Sequence, residues 1–274
     1  MRNKITLMKR SSVVALGVAG LVSISLSAQR RSAPPAGATP RTAPPRAERA
    51  VPFKVGETLT YDVSWSAYVT AGTAVTTVKE KKPSYNSTAY YVVAEGRPTA
   101  LVSKLYSLYY KLDSLIDTYT LLPQRGSIYS EEGSRHRFRT TLFDRKSNVA
   151  HFEYQVEGTA KADLAVSPVA QDVLSAIYVI RAVPFRSGER MTMPICDNGI
   201  NYKLQIDTTG PESVKTGLGA VSALRLDLTI FDARNARVGR NTALWMSDDA
   251  RRLPVKLRAD LTVGSFNLVL REAR

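Results

Sequence analysis

From residue 53 onward, apolar and polar side chains alternate along the chain with a period of two. In "TLTYDVSWS", residues 58–66, Leu59, Tyr61, Val63 and Trp65 share one face, while Thr60, Asp62 and Ser64 share the other. A two-residue repeat matches a strand with one buried face and does not match a helix. The pattern returns in "STAYYVVAEG" (87–96), in "HFEYQVEG" (151–158) and in "AVSALRLDLTIFD" (220–232). Turn residues punctuate it: Glu132-Gly133-Ser134 and, with a strong hairpin signal, Asp197-Asn198-Gly199. Roughly a dozen short strands in this order predict an all-β-dominant fold, a curved antiparallel meander or half-open β-barrel. The chain has one cysteine, Cys196, so no internal disulfide can brace that fold. Residues 51–274 are long enough to stand on a hydrophobic core instead. Cys196, at the end of a strand pattern, reads as a small buried apolar side chain.

One segment breaks the alternation. In "QDVLSAIYVIR", residues 171–181, Val173, Ile177 and Ile180 recur at helical spacing, with Leu174 and Tyr178 beside them. The spacing predicts one inserted amphipathic helix over about 171–182. Ser167 or Asp172 can cap its first turn, and Pro184 ends the run. A curved sheet has a concave face, and a single apolar helix can plug it. A second short helical piece is expected at 97–107.

The first 50 residues are of another kind. Arg2, Lys4, Lys9 and Arg10 precede an uncharged run, 11–28, that closes on Ser25, Ser27 and Ala28. This is the layout of a secretory signal peptide over 1–28. The run can just span a bilayer, but its Gly and Ser make it a weakly apolar anchor. After cleavage no transmembrane domain is expected, and no Cys follows the run to carry a lipid. Residues 29–50 are rich in Pro, Ala and Arg and read as a disordered tether. Residues 51–274 are then a single β-rich domain. The expected address is exported, in the periplasm or outer cell envelope, and not a lipoprotein.

The net charge is +14, but nine of the basic residues and one acidic residue lie in 1–50, leaving 29 basic and 23 acidic residues in 51–274. The domain itself is only mildly basic, so no nucleic-acid partner is expected. His136 stands among Arg135, Arg137 and Arg139, which would repel a metal cation. His151 falls on the polar side of its strand. No HxH, HExxH, Cys/His or GxSxG spacing occurs, so neither a metal nor a cofactor is called for. Asp248-Asp249, beside Arg251 and Arg252, can be read as a calcium-type or acid/base carboxylate pair. Its simpler reading is a hairpin turn. Asp113 and Asp117 share a strand face and read as a solvated edge.

Several stretches together resemble one family. "FKVGETLTYDVSW" (53–65), "AGTA" (71–74), "DVLSAIYVIR" (172–181), "FRSGE" (185–189) and "LWMSDDARRLPVKL" (244–257) are similar to the bacterial exported family catalogued as domain of unknown function 3108. Its members resemble β-rich envelope proteins with a curved, partly closed sheet, somewhat like bacterial lipoprotein carriers. They open on G-E-x-L-x-Y, carry a D-x-x-S-A-x-Y-x-x-R helix and finish on W-x-S-x-D-x-x-R-x-P-V followed by Gly. The positions carried over are Gly56, Glu57, Tyr61, Trp65, Gly72, Asp172, Ser175, Arg181, Gly188, Trp245, Asp248 or Asp249, Arg252, Pro254 and Gly264. Where the family helix often has Pro after its Asp, this chain has Val173. The family implies no reaction.

Asp172 and Arg181 are about two and a half helical turns apart and cannot pair on one helix face. Each must find a partner on the sheet. Arg181 can bind a carboxylate such as Glu57 or Asp249, or grip an anionic head group at the rim of a cavity. Tyr61, Trp65, Tyr90, Tyr106, Tyr109, Tyr110 and Trp245 would line or flank the inner face, where aromatics fill a core or bound a ligand cavity. The leading expectation is a non-enzymatic exported envelope protein that binds a lipid or other amphiphilic ligand, with Tyr61, Trp65, Tyr178, Arg181 and Trp245 as site residues. One alternative is a polymer-acting hydrolase using Asp248 and Asp249. Another is a structural interaction module that docks an envelope protein.

Overall fold

The computed structural model describes residues 46–274 except 66–68, 106, 156–157 and 262–263. The expected signal peptide, 1–28, and the tether as far as residue 45 lie outside the described residues. Residues 46–50, read as tether, are held on the domain. The Arg49 amide donates to the Thr118 carbonyl at 2.9 Å, and Lys81 Nζ donates to Glu48 at 2.7 Å.

Fourteen strands form one antiparallel sheet. They are β1 (Thr58–Trp65), β2 (Val69–Ser84), β3 (Ser87–Pro98), β4 (Leu108–Asp117), β5 (Pro123–Glu132), β6 (Arg135–Asp144), β7 (Val149–Gln155) and β8 (Thr159–Ala165), then β9 (Arg190–Asp197), β10 (Ile200–Thr216), β11 (Gly219–Phe231), β12 (Arg237–Ser247), β13 (Pro254–Leu261) and β14 (Gly264–Ala273). Helix α1 (Ala100–Leu105) lies between β3 and β4, and α2 (Val173–Ala182) between β8 and β9. Each half is a meander, β1 to β8 and β9 to β14. The halves join where β1 pairs with β14, from Leu59 opposite Ala273 to Trp65 opposite Phe266. The expected curved, half-open sheet is thus the observed one.

The sheet does not close by strand pairing, yet its ends come together. The segment after β8 makes one parallel bridge to β9, Gln171 with Ile195, and the Cys196 amide donates to the Gln171 carbonyl at 2.8 Å. Arg145 ties the same segment down, donating to the carbonyls of Pro123 and Ala170 at 2.6 and 3.0 Å. Bulges in β1, β2, β10, β12 and β13 pairings bend the sheet. The Asn198-Gly199 turn adopts positive φ at both residues, as a tight hairpin requires.

Helix α2 fills one end of the concave face. Asp172 caps it: the Ser175 amide donates to Asp172 Oδ1 at 2.6 Å, and the Asp172 amide donates to Ser175 Oγ at 3.0 Å. Val173 in place of the family's Pro leaves this capping box intact. Ala176 and Ile180 pack with Met193, Ile195, Ile206, Leu226, Leu244 and Met246. Leu174 and Tyr178 pack with Val78, Tyr90, Val92 and Ile116 on the other half of the sheet. One helix therefore joins both meanders through its apolar faces.

Gly72 marks a place where no side chain fits. A Cβ there would lie 2.3 Å from the Arg97 carbonyl oxygen of β3. We expect Gly72→Ala to lower stability by about 1–3 kcal/mol, because the obstacle is backbone and cannot swing aside. A urea midpoint shift at constant slope would register it.

Candidate functional site

The helix docks through charge as well as through apolar contact. Arg181 is fully buried and Glu57 is 6% exposed. Arg181 Nη1 donates to Glu57 Oε1 at 2.5 Å, and Nη2 donates to Oε2 at 2.9 Å. The remaining donors go to backbone: Nε to the Arg252 carbonyl at 3.1 Å and Nη2 to the Arg251 carbonyl at 3.2 Å. Glu57 is delivered by the turn before β1, where Gly56 takes φ +89, a conformation that suits glycine. Phe53 and Tyr178 flank the guanidinium, each ring centroid 5.4 Å from its carbon. Tyr61 stands in the same cluster, and burial holds its phenol well above the ordinary value. Burial likewise pushes the Tyr178 phenol up to about 12. Of the carboxylates weighed for Arg181, Glu57 is the partner. Four of the five guanidinium N–H donors of Arg181 are taken by Glu57 and the backbone, and the side chain is fully buried.

Asp172 is the second buried carboxylate. Besides capping α2 it accepts from Ser114 Oγ at 2.7 Å. Gly126 opposite has no room for a side chain, since a Cβ would meet Asp172 Oδ2 at 2.8 Å. Desolvation outweighs these hydrogen bonds and lifts the Asp172 carboxyl to about 6.

The other expected site residues lie apart. Trp65 is 36% exposed at the end of β1, its ring edge-on to Phe266 at 4.4 Å. Leu244 and Met246 pack with α2, so Trp245 between them points to the opposite face. There the β10–β11 hairpin folds over it. Trp245 Nε1 donates to Glu212 Oε2 at 2.7 Å, and Lys256 Nζ sits 4.5 Å from the ring centroid. Tyr109 likewise sits beside Tyr129 and Arg97, whereas Tyr110 shares the inner row with Gly96 and Ser130. Trp245 and Tyr109 are thus corrected to the outer face. Tyr106 lies outside the described residues.

Asp248 and Asp249 are exposed. Asp249 Oδ1 accepts from Ser247 Oγ at 2.7 Å and from the amides of Arg251 and Arg252, both at 3.1 Å. That is turn chemistry, not a paired cleft. Asp113 and Asp117 are not on an edge, because β4 runs between β3 and β5. Asp113 pairs with Arg125 at 2.8 Å. Asp117 is buried in the β4–β5 turn; burial raises its carboxyl, but hydrogen bonds from Ser87, Thr120 and Tyr119 outweigh this and lower it. A lowered carboxylate stabilises the fold above its unfolded value, and that support is lost as pH falls through the folded value. We expect Asp117→Asn to flatten the acid limb of a stability–pH curve measured by urea unfolding below about pH 4.

The inner face is graded along the strands. Beside α2 it is dry: Tyr61 is 5% exposed, while Leu226 and Leu270 are each 0%. Farther along the same strands the same face is half-buried, at Val63, then at Leu228 and Ile230, then at Leu268 and Phe266. Leu257 and Ala259 on β13 and Ala94 on β3 repeat the pattern. The row Ala94, Leu112, Ile128, Arg139, Tyr154 crosses five strands in register on this face. Between Leu112, Ile128, Arg139, Phe152 and the start of α2 lies a cavity of about 20 Å³, room for about one water. Periodicity alone could name these residues but not rank their burial, which depends on where along the strands α2 stops.

A family model described as a protein of unknown function, DUF3108, matches residues 60–271. The chain belongs to the DUF3108 family. Residues far apart in the chain meet in space here: Glu57 and Tyr61 from the first strand region, Arg181 from the helix, and the Arg252 carbonyl from the last strand pair. Among solved structures, a beta-barrel-like protein of the domain of unknown function DUF1849 from Brucella abortus is similar at 10% identity, covering 80% of this chain and 97% of that one with a TM-score of 0.51. That likeness speaks to fold alone. A protein from Bacteroides fragilis with a YmcC-like fold aligns at 10% identity over 83% of this chain and 100% of its own, with a TM-score of 0.35. No curated protein matches the DUF3108 chain. Among the described residues no helix is long and apolar enough to cross a membrane.

Proposed function

We propose that this DUF3108 protein is an exported, non-enzymatic component of the bacterial envelope that holds an apolar or amphiphilic ligand on its concave face. The observation that carries the reading is the gradient of exposure. The helix seals one end of the face, and toward the other end Val63, Leu228, Ile230, Leu257, Leu268 and Phe266 are only partly buried, with Leu228, Ile230, Leu257 and Leu268 packing against the core on one side. A contiguous apolar surface rimmed by polar groups is the usual form of a ligand site. The leader-like first 28 residues support export, and the sheet-and-helix frame provides rigidity. Trp65 sits at the rim of this surface and Tyr61 beneath it, while Tyr178 and Arg181 serve the frame.

The test is native mass spectrometry with organic extraction of protein purified from the envelope of an expressing bacterium. The reading expects a co-purified lipid-class molecule, and expects an apolar dye to compete with it. Protein that carries nothing and takes up no dye would contradict it.

A further inference from the structure

Arg139 is an inner-face cation whose guanidinium is only partly satisfied by protein groups. It projects from β6 into the row that holds Leu112, Ile128 and Tyr154. It lines the small cavity beneath α2 together with Phe152. Its Nη1 donates to Asn198 Oδ1 at 2.6 Å, and Nη2 reaches Ser130 Oγ at 3.4 Å. Both acceptors are neutral. Its Nε is buried without a hydrogen-bond partner. Asp172 and Asp197 line the same cavity, and Asp197 is within electrostatic reach of Arg139, but Arg139 makes no salt bridge with either among the described residues. Its neighbours are better matched: Arg137 pairs with Glu132 at 3.0 Å, and Arg181 pairs with Glu57 at 2.5 Å. Arg145 and Arg252 also lack a carboxylate, but they spend their guanidinium donors on backbone carbonyls.

A half-buried guanidinium is well hydrated only where water or an anion reaches it, and its planar fork suits an oxyanion. Here it borders the apolar rows of the concave face. We infer that Arg139 anchors the oxyanion head group of an anionic single-chain amphiphile, whose alkyl chain lies along the partly buried apolar rows. This rests on the ligand reading above and deepens it. It also moves the anionic anchor from Arg181 on α2, which Glu57 occupies, to a residue on β6.

The test measures binding of three probes to the full domain by calorimetry: palmitate, palmitoyl-lysophosphatidate and neutral monopalmitoylglycerol. Wild-type protein should bind the anionic probes about tenfold more tightly than the neutral one, the scale of one charge-assisted contact. Preference for palmitate over lysophosphatidate, or the reverse, tells a carboxylate source from a phosphate source. Arg139→Gln should abolish the tenfold preference and leave the neutral probe unchanged, and Arg139→Lys should keep most of it. Should Arg139→Gln fail to fold, the lysine variant and the loss of the preference in high salt decide the matter. Neutral and anionic probes bound equally, or both weakened alike by Arg139→Gln, would overturn the anchor and leave the amphiphile reading standing. Failure of all three probes to bind would overturn both.

Discussion

Arg181→Met should lower the stability of the fold by about 3–5 kcal/mol, because it leaves the Glu57 carboxylate buried without its cation. The side chain lost is the largest fully buried one in the described structure. It holds four bonds that tie α2 to the turn before β1 and to the β12–β13 turn. The double variant Glu57→Leu/Arg181→Met should recover a large part of the loss, since replacing both charges removes the stranded one. Urea unfolding of the single and double variants reads this directly. A single variant within about 0.5 kcal/mol of wild type would mean that the ion pair does not set the position of the helix.

Asp172→Ala should cost about 2–4 kcal/mol near pH 5, from the lost cap and from Ser114 left without its acceptor. The pH dependence has a definite sign. The folded carboxyl is raised to about 6 by burial, against an unfolded value of 3.8. Its contribution is therefore complete below the unfolded value and is lost as pH rises through about 6. The gap between wild type and Asp172→Ala should narrow between pH 5 and pH 8. Paired urea titrations at the two pH values would check it. A gap that widens toward pH 8 would show that hydrogen bonding, not desolvation, dominates this carboxyl.

Much of this arrangement is legible in the residues themselves. Alternation specifies strands, and a lapse into 3.6-residue spacing over 171–182 specifies the helix. The ion pair follows from the sequence because a charged residue on an apolar helix face must find a partner. The side of the sheet on which Trp245 lies does not follow. Alternation says which residues share a face but not which face is concave, and a folded-over hairpin can bury a convex face too. The interior place of Asp117 is not legible, because strand order is invisible in a local pattern. It lies on a central strand, and its turn supplies the hydrogen bonds that satisfy it. In the sequence Arg139 is only one of the basic residues around His136. Its inner placement follows from register with Ile128, which no single segment displays.

The two tryptophans offer the most direct trial of the ligand surface, since Trp65 stands at its rim and Trp245 on the opposite face. Fatty acid brominated along the chain quenches indole fluorescence only at near contact. It should quench Trp65 in a Trp245→Phe variant and leave Trp245 bright in a Trp65→Phe variant. Quenching of Trp245 alone, or of neither residue, would contradict an alkyl chain lying on the concave face.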